Sequence, residues 1–149
     1  MSSRYKGSRK EVTALDTYIK LTRASETINS KIYRLLKKSG FTESQFKILD
    51  ALYHLGALTQ KSLGEKLLSS GGNITMVIDN LEKRGMVKRE RGSDDRRLFY
   101  VKISDKGIAE IEQVMPNVVE LITAQMNILS KQQQKELQSM CKKIGFKQK

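Results

Sequence analysis

The chain of 149 residues carries 28 Lys and Arg against 16 Asp and Glu, a net charge of +12; that length suits one domain with a real core, and that charge favours a polyanionic partner over a small acidic metabolite. One Cys and one His exclude an intrachain disulfide and a zinc site of Cys and His alone, and leave only His54 for a His-dependent relay. No phosphate loop, paired metal ligands or nucleophile–base pair stands at recognisable spacing, so no enzyme activity, metal or cofactor is expected. The polar, basic opening and the lack of any run near the roughly 18 apolar residues of a membrane span place the protein in the cytoplasm, with no membrane contact expected.

A single Pro leaves long helices uninterrupted, and apolar residues recur at helical spacing over most of the chain, so the fold should be mainly α. After a basic arm over 1–11 (Arg4, Lys6, Arg9, Lys10), the stretch from Val12 to Lys38 aligns Leu15, Ile19, Ile28, Ile32, Leu35 and Leu36 on one stripe and stops at Ser39-Gly40. Thr42-Glu43-Ser44-Gln45 has the spacing of a capping box for a second helix burying Phe46, Leu49, Leu52 and Tyr53 and ending at Gly56. Thr59 can cap a short third helix with Leu63 and Leu67 on one face. Ser69-Ser70-Gly71-Gly72 reads as a turn.

From Asn73 to Arg84 the apolar Ile74, Val77, Ile78 and Leu81 fall at i, i+3, i+4 and i+7. The opposite face shows Asn73, Thr75, Met76, Asp79, Asn80 and Lys83, mostly short hydrogen-bonding side chains of poor helix propensity, which an idle solvent face does not need. Gly85 closes this helix. Val87–Arg91 and Leu98–Ile103 are then rich in β-branched and aromatic residues around Gly92-Ser93-Asp94-Asp95, a hairpin with a charged tip. Ser104 or Asp105 caps a long helix through Ile108, Ile111, Val114, Val118, Leu121, Ile122 and Met126, bent but not ended by Pro116. Ser130 opens a last helix with Leu137, Met140 and Ile144.

Two short helices joined by a tight turn, the second leading into a basic hairpin, make a winged helix-turn-helix with a two-stranded β wing. Such a helix fits the major groove of double-stranded DNA, where Asn73, Thr75, Met76, Asn80 and Lys83 can meet base edges. Backbone N–H groups from Ser70 and Gly72 to Asn73 can bind phosphate. Arg89, Arg91, Arg96 and Arg97, with Lys88, project from a ribbon suited to the negative minor groove.

The run Ser70-Gly71-Gly72-Asn73-Ile74-Thr75, then Leu81-Glu82-Lys83-Arg84-Gly85-Met86-Val87, Asp94-Asp95-Arg96-Arg97 and Val101-Lys102-Ile103-Ser104-Asp105-Lys106-Gly107 resembles the MarR (multiple antibiotic resistance regulator) family, over nearly the whole chain. The resemblance implies a homodimer with interlocking N- and C-terminal helices, a palindromic operator, and a repressor released by a phenolic ligand or by thiol oxidation. It also implies that Asp95 orients the wing arginines and that Arg97 enters the minor groove. The chain would then be one domain over 1–149, with dimerisation helices at 12–38 and 104–146 and a DNA-binding lobe at 42–103. Those long helices carry more apolar stripe than one helix-turn-helix core can cover, which also favours symmetric pairing. The thiol-sensing branch of the family carries its Cys in the first helix; here none lies between Val12 and Lys38, and the lone Cys141 sits in the last helix. A small aromatic or phenolic effector is expected between the dimerisation helices and the lobe, with Tyr33, Tyr53 and His54 as candidate lining. The competing reading is a basic interaction or membrane-surface protein without sequence reading; the polar face of the fourth helix argues against it, because a membrane-seeking helix would present Trp, Phe or Leu there.

Overall fold

The structure is a computed structural model that describes residues 2–67 and 73–145. Its elements run α1 (Arg9–Lys38), α2 (Glu43–Leu55), β1 (Leu58–Thr59), α3 (Gln60–Lys66), α4 (Ile74–Lys83), β2 (Val87–Arg91), β3 (Phe99–Ile103), α5 (Asp105–Met126) and α6 (Lys131–Gly145).

Local capping chemistry sets most of the helix ends. The Ser8 hydroxyl accepts from the Glu11 N–H at 3.3 Å while the Glu11 carboxylate accepts from the Ser8 N–H at 2.7 Å, a reciprocal box that satisfies two orphan donors and starts α1 at Arg9. Arg9 and Lys10, expected in the free arm, are therefore helical. The box anticipated at Thr42 and Gln45 forms, at 3.2 and 3.1 Å. Thr59 caps α3, Asn73 caps α4 and Ser104, rather than Asp105, caps α5. Gly40 and Gly85 close α1 and α4 at φ 83° and 73°. Beyond each, Phe41 and Met86 donate back five residues, to Leu36 and Leu81, and bury their side chains, completing two Schellman stops. As anticipated, α5 runs on past Pro116.

The expected two-stranded wing forms as β2 and β3, and β1, which was not expected, adds a third strand to give an antiparallel sheet ordered β1-β3-β2. Leu58 pairs with Val101 and Thr59 with Tyr100, while β2 pairs with β3 from Val87↔Ile103 to Arg91↔Phe99. Thr59 thus ends a strand and caps a helix at once, and a two-residue strand is too short to show a period of two.

The chain falls into two compact units, Met1–Ile32 with Val118–Lys149, and Tyr33–Asn117. The second has a dense core in which Leu36, Ile48, Leu49, Leu52, Leu63, Ile78, Leu81, Val87 and Val101 are at most 1% exposed, each such burial stabilising by about 1.5–3 kcal/mol. Ile48, not Tyr53, fills the inner side of α2: Tyr53 is 39% exposed. In the helical unit, Tyr18, Val119, Ile128, Met140 and Ile144 remain exposed.

Candidate nucleic-acid interface

Helix α4 divides into two faces. Ile78 and Leu81 are fully buried, against α2 and α3, while Thr75, Met76, Asn80, Glu82 and Lys83 are exposed. Asn73 stands at the N-cap, its Oδ1 accepting from the Met76 N–H at 3.4 Å, so its side chain spends its acceptor on the helix start. The Thr75 hydroxyl accepts from Gln60 Nε2 at 2.6 Å, tying α3 to α4. Met76 is 60% exposed. Ser70 and Gly72, expected to bind phosphate, lie outside the described residues.

Among the described residues, Arg89 makes the polar ties between the strands and α4. Side chains alternate along β2, so Arg89 shares the inward face of Val87. Its guanidinium lies 2.6 Å from the Asp79 carboxylate and 3.1 Å from that of Glu82, and its backbone N–H, on the open edge of the sheet, donates to Glu82 at 3.1 Å. Arg89 thus points at α4. Two residues on, Arg91 stacks its guanidinium over the ring of its cross-strand partner Phe99, 5.3 Å from the centroid.

At the hairpin tip Asp95 accepts from both the backbone N–H and the guanidinium of Arg97. The backbone bond first, then the side-chain bond, hold the Asp95 carboxyl below the ordinary aspartate range. Arg96 and Arg97 are exposed. The turn depends on Gly92: a Cβ there would lie 2.7 Å from the Asp95 carbonyl oxygen.

Two further clamps fix α4, and neither was anticipated. Arg84, just past its end, donates to the Gly40 carbonyl at 3.0 Å and to Gln45 at 3.2 Å while lying over the Phe41 ring. The Ser104 hydroxyl donates to the Gly85 carbonyl at 2.5 Å and accepts from the Gly107 N–H at 3.1 Å. A Cβ on Gly107 would collide with the Met86 carbonyl oxygen, so only glycine lets α5 start this close to the α4 stop. Alternation along β2 could have shown Arg89 pointing inward; the Arg84 clamp has no comparable sequence signal.

The Tyr33–Asn117 unit holds 15 Lys and Arg against 11 Asp and Glu. Its excess is thus only a small part of the +12 carried by the whole chain, and affinity for a polyanion has to come from where cations sit, at Lys83, Lys88, Arg91, Arg96 and Arg97, more than from net charge.

The three candidate effector residues separate. His54 lines a groove of about 420 Å³ walled by Ala51, Leu55 and Leu67 and rimmed by Lys47, Asp50 and Lys66. Tyr53 and Tyr33 do not line it. The Tyr53 hydroxyl donates to Glu112 at 2.9 Å. Tyr33 bonds Glu43, and its burial, followed by that bond and the Glu43 charge, pushes its phenol up to about 12. His54 Nε2 lies 3.1 Å from Asp50 Oδ1, an ion pair only when the imidazole is protonated.

A helix with a polar, exposed face, braced by a second short helix and followed by an antiparallel ribbon with arginines at its tip, defines a winged helix-turn-helix DNA-binding protein. The profile of the MarR family matches residues 41–99, from the end of the α1 stop to the start of β3. The chain is 30% identical over 133 residues to the HTH-type transcriptional regulator MhqR of Bacillus subtilis, covering 89% of this chain and 92% of that one. It is 28% identical over 132 residues to the transcriptional repressor MprA of Escherichia coli, covering 85% and 75%. Among solved structures it is similar to a mutant MarR from Escherichia coli complexed with operator DNA, at 27% identity and a TM-score of 0.71 over 87% of this chain and 96% of that one. The chain belongs to the MarR family and is a DNA-binding transcriptional regulator.

Proposed function

We propose that the protein is a homodimeric, ligand-responsive repressor of the cytoplasm that binds a palindromic operator, with α4 of each protomer in the major groove and each wing tip over the flanking minor groove. The observation that carries this reading is the division of α4, with Thr75, Met76, Asn80 and Lys83 outward and Ile78 and Leu81 wholly buried. Arg91, Arg96 and Arg97 supply phosphate and minor-groove contacts from the ribbon. Asn73, Arg89 and Asp95 act by holding contact residues in place, given the partners their side chains already have. Ser70 and Gly72 complete the set as backbone phosphate donors.

Pairing is supported by the exposed apolar side chains of the helical unit, Ile128 at 75% and Ile144 at 68%, which one chain leaves in water. An aromatic or phenolic effector is supported by the groove beside His54, whose walls are apolar and whose rim offers Lys66 to an acidic group. Competition between a palindromic duplex from the gene's own upstream region and a scrambled duplex of equal length tests the reading, run without and with salicylate at millimolar concentration. A large preference for the palindrome that shrinks with salicylate supports it. Equal binding of both duplexes contradicts it.

A further inference from the structure

Among Asn73, Thr75, Met76, Asp79, Asn80 and Lys83 on the polar side of α4, Asp79 alone is a carboxylate. Asp79 lies four residues after Thr75 and four before Lys83, and at about 100° per residue it stands between them, half-exposed on the flank of the outward face that meets β2. A carboxylate there meets phosphate repulsion unless something offsets its charge. Arg89 does so, at 2.6 Å from Asp79 Oδ1 and 3.1 Å from Glu82. The arginine side chain is 22% exposed, whereas that of Asp79 stays 48% exposed. The pair is thus a carboxylate pointing outward, backed from behind by a guanidinium rooted in β2.

We propose that Asp79 is a specificity-determining residue that accepts a hydrogen bond from a cytosine amino group in the major groove, with Arg89 as its positioning residue. The inference rests on the reading of α4 as the helix that enters the groove. An ionised Asp only accepts. Guanine presents two acceptors to the major groove, thymine an acceptor and a methyl group, and adenine an acceptor beside its amino donor. Cytosine alone presents a donor without an adjacent acceptor on the same base. The ion pair engages Asp79 Oδ1, so the carboxylate is held in orientation with its second oxygen left as the acceptor the proposal needs.

Selection from a pool of randomised duplexes, followed by fluorescence anisotropy on single-pair variants of the selected site, tests this. The wild-type protein should select a cytosine at one position of each half-site and prefer it over thymine there by about ten- to hundredfold. Asp79→Ala should lose that preference at this position alone, with the other positions and the affinity for scrambled duplex retained. Asp79→Asn, which keeps the shape and adds a donor, should move the preference toward adenine. Arg89→Met should lose the cytosine preference although Asp79 is present, and Arg89→Lys should recover part of it. An unchanged consensus from Asp79→Ala and Asp79→Asn, or losses spread evenly over all positions, would overturn the proposal and leave Asp79 as a brace. No selected sequence from the wild-type protein would instead overturn the reading of α4 itself.

Discussion

The guanidinium of Arg97 turns back onto the carboxylate of Asp95, with Nε and a terminal nitrogen 3.2 and 3.4 Å from its two oxygens, while the Arg97 backbone N–H donates to the same group at 3.0 Å. The arginine side chain is nonetheless 91% exposed, so the pair sets a direction without hiding the charge. Because the Asp95 carboxyl is held below its ordinary value, the arrangement is intact at neutral pH and is lost only as pH falls through that lowered value. In an NMR pH titration the Arg97 amide should shift with a midpoint below about 3.9, the ordinary aspartate value, and Asp95→Asn should abolish that transition. A midpoint at or above the ordinary value contradicts the bond.

Gly107 marks the tightest approach between the α4 stop and α5. Since an added Cβ would strike the Met86 carbonyl oxygen and lie 2.8 Å from Ile103 Cγ1, Gly107→Ala should destabilise the lobe by about 1–3 kcal/mol in urea unfolding. Gly64→Ala, where the Cβ would meet only Ile74 at 3.9 Å, should be neutral or stabilising, because alanine favours a helix interior by ~1 kcal/mol over glycine. Equal losses at the two glycines would contradict the packing described.

Tyr33 should ionise late. With its phenol pushed up to about 12 by burial and by Glu43, the native state keeps a proton there that the unfolded chain, near pH 10, has released. Stability therefore falls as pH rises between those values. An absorbance titration should show part of the phenolate signal of the five tyrosines delayed toward that upper value, and Tyr33→Phe should remove that part while leaving the delay of Tyr53, whose phenol is also raised by its bond to Glu112. An unchanged alkaline limb in Tyr33→Phe would contradict the Glu43 contact.

Self-association is expected from the helical unit. Sedimentation at micromolar concentration should give a single species of twice the chain mass, and Ile128→Lys with Ile144→Lys should shift it toward the monomer, since each places a charge where apolar surface pairs. A wild-type protein that sediments only as a monomer contradicts the proposed homodimer.

Much of this architecture was legible because its signals are local. Thr42 and Gln45, Gly40 and Gly85, and the i, i+3, i+4, i+7 pattern from Ile74 to Leu81 each depend on residues a turn apart, so spacing alone reveals them. Leu58–Thr59 escaped because pairing with Val101 and Tyr100 is a long-range event written in too few residues. Arg89 reads in sequence as one of a row of wing cations; only the fold brings Asp79 and Glu82 to it and turns it from the solvent. For the same reason Asp79 was legible as a member of the polar face but not as a buttressed acceptor. Tyr33, Tyr53 and His54 read in sequence only as candidate lining between the long helices and the lobe, and the carboxylates of Glu43 and Glu112 that engage the two tyrosines carry no sequence signal at all.

The division of labour between α4 and the wing is the central claim, and fluorescence anisotropy across a salt series on operator and scrambled duplexes tests it most directly. Arg96→Ala with Arg97→Ala should weaken binding to both duplexes alike and lower the salt slope by about one to two units, since roughly 0.9 counterions are released per phosphate neutralised. Thr75→Ala with Asn80→Ala should instead reduce operator binding by ~1 to 3 kcal/mol per lost base contact while scrambled-duplex affinity and salt slope stay nearly fixed. Asn73 is left intact in this test because its side chain caps α4. Equal losses on both duplexes for the Thr75/Asn80 variant would contradict α4 as the reading element.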